Sequence, residues 1–199
     1  MTSELPVQSI AAIATLTASL IAAAISFVNL TLTKELKTSE FRQKWIDSLR
    51  EELSVFFGCA RTFARATEEK HKYGSEYENK SLFKISDQKI SDIRYQVTEV
   101  YSRIQLRLNP GEKNHKELLR LLKRTIDEQN LALKNGTDAG KTIEAINIAN
   151  EFAAPVLKAE WNVVKKGELP FRIARNWVAP FVFLCSILLV VLIWHGAFK

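Results

Sequence analysis

The segment WVAPFVFLCSILLVVLIW, residues 177–194, limits what this chain can fold into more than any other. It carries no charged side chain, has Trp177 and Trp194 at its ends, and follows Arg172 and Arg175. As a helix it rises about 26 Å, close to the ~30 Å hydrocarbon core of a bilayer. Tryptophan rings settle at the lipid–water boundary, and arginines beside a span reach toward head groups. The expectation is a transmembrane helix over residues 177–195, with Arg172, Arg175, Trp177 and Trp194 as interface anchors.

A second uncharged stretch, residues 7–32, would rise about 39 Å if wholly helical and is also long enough to span. It is weakly hydrophobic, with Thr15, Thr17, Ser19, Ser26 and Asn29 among many alanines. Two rows of small residues run down it at four-residue spacing: Ala11, Thr15, Ser19, Ala23, and Ala14, Ala18, Ala22, Ser26. Small residues let helix backbones approach closely in lipid, where packing drives association. The rows suit packing against another helix, in this chain or a second copy; an alanine-rich anchor with no specific partner has the same composition. Asn29 suits either a hydrogen bond across a helix pair or the polar interface just before Lys34. Residues 1–6 carry Glu4 and no Lys or Arg, unlike the positive start of a secretory signal peptide.

The chain's 28 Lys and Arg against 22 Asp and Glu leave a net charge of +6. Much of that excess lies beside the two apolar stretches, as Lys34, Lys37, Arg42, Lys44 and Arg50 after the first, and Lys158, Lys165, Lys166, Arg172 and Arg175 before the second. Positive flanks stay in the cytoplasm. The expected topology puts both termini in the periplasm and residues 33–176 in the cytoplasm. Attraction to anionic lipid explains the split basic flanks without nucleic-acid binding. Cys59 falls in the polar middle and Cys185 in a span, so both are expected as reduced, structural thiols.

Few glycines and prolines favour helix through the middle of the chain. Phe41, Trp45, Leu49, Leu53, Phe56, Ala60 and Phe63, widened by Ile46, Phe57 and Ala64, share one helical face. Thr38 or Ser39 could cap a new helix there, or the first span could run straight on. Residues 71–88 read as a long loop. A second helix is expected from about Lys89 to Leu108, stopped by Asn109-Pro110-Gly111, and a third through Leu118, Leu119, Leu121, Leu122 and Ile126 to about Asn135. A fourth begins near Thr142 and carries Ile143, Ile146, Ala153, Leu157, Trp161 and Val164, with a possible kink at Pro155. Gly167 and Pro170 separate it from the last span. The fold class is all-α: two transmembrane helices flanking a cytoplasmic antiparallel bundle of about four helices.

Chemistry is sparse. His71, His115 and His195 show no metal-ligand spacing, and no glycine-rich phosphate loop, GxSxG or HExxH occurs. Asp47, Glu51 and Glu52 read as a solvated helix face with Arg50 nearby, His115 as an N-terminal residue of the third helix, and Trp45 and Trp161 as core residues near each other. No catalytic residue, cofactor or metal is expected.

Three passages, residues 39–53 (SEFRQKWIDSLREEL), 107–119 (RLNPGEKNHKELL) and 157–168 (LKAEWNVVKKGE), together resemble small bacterial two-span inner-membrane proteins with a helical cytoplasmic domain. The plan is similar to the membrane effectors of retron-type anti-phage defence. The resemblance implies an inactive membrane protein held by cytoplasmic partners, such as a reverse transcriptase or another sensor complex. On release it would self-associate and damage the membrane. A non-toxic scaffold or receptor that tethers a cytoplasmic partner fits the same features.

Overall fold

A computed structural model describes residues 7–135, 139–167 and 169–197. Every regular element among them is helical. Helix α1 (Val7–Tyr73) is followed by a 3-10 turn (Gly74–Glu76) and the short α2 (Tyr77–Lys80). Then come α3 (Asp87–Arg107), α4 (Lys113–Asn135), α5 (Gly140–Lys166), α6 (Leu169–Ile173), a π-helical turn (Ala174–Val178) and α7 (Ala179–Ala197). The chain divides into two compact units, residues 43–162 and residues 1–42 with 163–199. α1 and α5 contribute to both.

The 43–162 unit has one core. Leu49, Leu53, Phe56, Phe57 and Ala60 of α1 meet Val97, Val100 and Ile104 of α3, Leu118, Leu121 and Leu122 of α4, and Ile146, Ala149, Ala153 and Val156 of α5. Each full burial of a Leu, Ile or Phe side chain contributes roughly 1.5–3 kcal/mol. An exposed ion pair such as Arg50–Asp47 contributes about 0–1 kcal/mol. The apolar stripes therefore set this unit's packing, and the surface charges decorate it.

Local chemistry accounts for the boundaries. No proline and only one glycine, Gly58, interrupts the sequence from Val7 to Tyr73, so α1 passes Thr38 and Ser39 without a break. The Ser86 side chain caps α3 by accepting from the Lys89 N–H at 3.2 Å. α3 ends where Leu108 turns extended ahead of Asn109-Pro110, and the Asn109 side-chain oxygen accepts the Gly111 N–H at 3.0 Å, tightening the turn into α4. α5 runs through Pro155 at an exposed position, where the helix forgoes one backbone hydrogen bond.

Two expectations change. Residues 71–88 are not an irregular loop. The Tyr77 ring is buried, and its hydroxyl donates to the Phe83 carbonyl at 3.0 Å while accepting the Ile85 N–H at 2.9 Å. Glu69 adds bonds to the Ser81 hydroxyl and the Phe83 N–H. Phe41, counted with the core stripe, is 71% exposed. It continues the face of Trp45 by helical spacing but falls outside the 43–162 unit.

In the other unit, Thr17, Ile21, Ala24, Val28, Thr31, Glu35 and Thr38 of α1 are half-buried at alternating steps of four and three. Ile21, Ala24, Ile25, Val28 and Asn29 line a cleft with Ala179, Val182, Phe183 and Ser186 of α7. Between α5 and α6, Gly167 has φ +70°. A Cβ there would lie 2.7 Å from Phe171 Cδ1 and 3.0 Å from Glu35 Oε1, so this bend needs glycine for both its backbone angle and its space. The π-helical turn precedes Pro180, whose missing N–H and ring are incompatible with an ordinary i−4 bond; the wider turn absorbs both.

Candidate functional site

Two helical stretches, Ala14–Lys80 and Gly140–Leu188, contain windows long and apolar enough to cross a membrane, and 0% and 6% of those windows is buried. A core helix of similar composition would be covered by protein. Leu16, Leu20, Phe27 and Leu30 on α1, and Phe181, Phe183, Leu184 and Val190 on α7, are each more than half exposed. A monomer in water does not present apolar surface on this scale without a partner phase.

All eight small residues of the two rows, Ala11, Ala14, Thr15, Ala18, Ser19, Ala22, Ala23 and Ser26, are exposed. At ~100° per residue, Ala11, Thr15, Ser19 and Ala23 lie roughly opposite Ile21, Ala24 and Val28, which face the α7 cleft, whereas Ala14, Ala18, Ala22 and Ser26 run beside that face, in line with Ile25 and Asn29 of the cleft. The row from Ala11 to Ala23 is therefore not what α1 uses against α7, and the row from Ala14 to Ser26 borders the cleft. Thr15 donates to the Ala11 carbonyl and Ser19 to the Thr15 carbonyl, both at 2.9 Å, so these hydroxyls are satisfied within the helix. Asn29 is exposed at the edge of the α7 cleft.

Of the expected anchors, Trp177 is 75% exposed, in the π-helical turn and not yet in α7. The Arg175 guanidinium lies 5.3 Å from the Phe171 ring centre, and its Nε donates to Asn176 Oδ1 at 3.0 Å. Arg172 is exposed at the end of α6. Trp194 belongs to α7, but its side chain lies outside the described residues.

The 43–162 unit holds polar groups that the sequence reading placed elsewhere. Glu52 is not on a solvated face: its side chain is 11% exposed and accepts two bonds from Arg107, from Nε at 2.9 Å and Nη2 at 2.8 Å. The Glu52 hydrogen bonds push the Arg107 pKa further up. Asp47 does remain exposed beside Arg50. The Cys59 thiol is half-buried and donates to Gln96 Oε1 at 3.3 Å; burial pushes its pKa up against the opposing charge of Lys89. It is held protonated, which makes it a poor nucleophile. Cys185 is likewise a free, half-buried thiol.

His115 is buried in the first turn of α4, with its ring centre 5.9 Å from that of Trp45. Trp45 thus meets His115 in the core. His115 Nδ1 accepts the Asn109 N–H at 3.3 Å and lies 3.5 Å from Glu112 Oε2, while Nε2 lies 3.6 Å from Glu160 Oε1. One ligand atom from each of Glu112, His115 and Glu160 falls within 4.8 Å of the others. Sequence reading saw no metal-ligand spacing here. The Glu112-x-x-His115 step was visible, but Glu160 joins it only through the fold.

A separate cavity of ≈ 320 Å³ is lined by Phe63, Ala64, Lys70, His71, Gln129 and Thr142, among others. Thr142 Oγ1 is buried without a hydrogen-bond partner, and Gln129 Nε2 donates to the Ala60 carbonyl at 2.9 Å. Comparison with protein-family models, curated proteins and solved structures finds no match to the chain.

Proposed function

We propose that this chain is a two-span protein of the bacterial inner membrane. Both termini are periplasmic, and residues 33–176 form a cytoplasmic antiparallel bundle of about four helices. It acts as an effector of anti-phage defence: a cytoplasmic partner, such as a reverse transcriptase or another sensor complex, holds it inactive, and release lets copies associate and depolarise the membrane. The observation that carries this reading is the pair of uncovered apolar helices, one of them presenting two exposed rows of small residues, of which the Ala11–Ala23 row lies on the side away from the α7 cleft. Close approach of such faces is how helices associate in lipid. The basic residues from Lys34 to Arg50 and from Lys158 to Arg175 support the orientation. The described spans carry no charged lining, so current would pass along a Ser/Thr face or through disordered lipid.

The test is membrane potential, followed with a voltage-sensitive dye while the chain is expressed alone in a bacterial host. Loss of potential before growth arrest is the expected result. Stable potential and growth with verified membrane insertion would favour a second reading, a non-toxic scaffold that tethers a cytoplasmic partner. That reading draws on Leu106, 91% exposed, and Tyr95, 73% exposed, both on α3.

A further inference from the structure

We propose that His115 and Glu160, backed by Glu112, form a binding site for a divalent transition-metal ion of the Zn²⁺ class. His115 Nε2 is fully buried and has no hydrogen-bond partner. Orphaned buried polar atoms are rare and mark strain, a missing ion or a missing water. Here the atom faces a carboxylate: Glu160 Oε1 is 3.6 Å away. Ligand atoms bound to a tetrahedral zinc at about 2.0–2.2 Å are about 3.4 Å apart, so an ion fits between the two with little movement. Imidazole nitrogen and carboxylate oxygen together suit Zn²⁺ and its first-row neighbours.

Glu112 gives the site its second layer. Metal-ligating histidines nearly always donate their other ring N–H to a carboxylate or carbonyl, which fixes the ring. Glu112 Oε2 lies 3.5 Å from Nδ1, and a Glu112 oxygen falls within 4.8 Å of a Glu160 oxygen. In the metal-free ring the Asn109 N–H points at the Nδ1 lone pair, so the ring proton sits on Nε2. Metal binding reverses this. The Nε2 proton leaves to water, the freed lone pair binds the ion, and a proton returns from water to Nδ1, which lies 3.5 Å from Glu112 Oε2. The ring stays neutral, and the Asn109 N–H loses its acceptor. The ion would clip the start of α4 to the end of α5 beside Trp45 of α1, at the turn that joins α3 to α4.

The experiment uses the full chain in detergent micelles, stripped with a chelator and then dialysed against Zn²⁺. Metal content and thermal unfolding of the helical signal are the two readouts. The expected result is about one retained Zn²⁺ per chain and an unfolding temperature raised by Zn²⁺ and lowered again by chelator. Glu160→Gln should weaken Zn²⁺ binding at least about tenfold, Glu112→Gln about tenfold, and His71→Ala not at all. Glu112 is half-exposed, so its variant carries the comparison if Glu160→Gln fails to fold. Wild-type chain that retains no zinc and shows no thermal response would overturn the site and leave the cluster as an ion pair only. So would equal zinc affinity in wild type and in the Glu112 and Glu160 variants.

Discussion

Cys59 on α1 donates to Gln96 on α3, and partial burial disfavours its thiolate more than Lys89 favours it. Alkylation requires the thiolate. In a Cys185→Ser background, the rate of Cys59 alkylation by iodoacetamide should therefore rise with pH along a curve displaced above that of the urea-unfolded chain. Lys89→Ala should displace it further upward, because the charge that opposes burial is gone. The stability linkage has the same sign. The raised pKa means that the Cys59 contribution is complete below the unfolded thiol's value and is lost as pH rises through the folded one. A folded-state profile that coincides with the unfolded one would refute the burial effect. Single residues were also where sequence reading was weakest. By helical spacing Glu52 lies at the flank of the Trp45–Leu49–Phe56 stripe, and nothing local says whether that flank is wet. Arg107, which decides it, is 55 positions away. His115 was legible as an N-terminal residue of its helix, and in fact begins a buried run with Leu118, Leu122, Thr125 and Gln129 at helical steps. The polar members hid the stripe.

At the scale of elements the sequence was more informative, because periodicity, caps and breakers are local. The helices now seen as α3, α4 and α5 were expected within two or three residues of their ends, and the asparagine–proline turn falls where it should. The stretch after α1 was misjudged since its polar composition resembles a loop, while one buried tyrosine hydroxyl organises it over several residues. The bend between α5 and α6 makes a sharper claim. Gly74 and Gly167 both have positive φ, but only Gly167 is crowded. Gly74→Ala should cost only the left-handed backbone penalty, about 1 kcal/mol. Gly167→Ala bears that penalty and must also displace the Phe171 ring and Glu35, adding roughly 1–3 kcal/mol as overpacking does. Thermal unfolding of both variants in detergent should rank Gly167→Ala clearly below Gly74→Ala. Equal losses would mean that the crowding at Phe171 relaxes freely.

For the whole molecule, the question is which face of α1 is used for what. The α7 cleft takes the face of Ile21, Ala24 and Val28; the Ala11–Ala23 row occupies the opposite face, and the Ala14–Ser26 row borders the cleft. Periodicity gave the rows; it could not give the side on which α7 lies, because an uncharged apolar helix has no charged face to orient it. If association of copies through the rows drives depolarisation, Ala18→Leu with Ala22→Leu should abolish toxicity and self-association. The bulk of two leucines holds backbones apart, and both positions are exposed, bordering Ile25 of the α7 cleft without lining it. Ala24→Leu is the opposite control: it adds the same bulk inside the α7 cleft and should act on folding and membrane level, not on contact between copies. Membrane level, cross-linking and dye-reported potential, measured on the same cultures, separate the two. The rows would have no role if the Ala18/Ala22 variant were inserted normally, cross-linked as wild type does and still depolarised the membrane. Depolarisation would then have to arise from the α7 side, or from single copies disordering the lipid around their uncovered apolar helices.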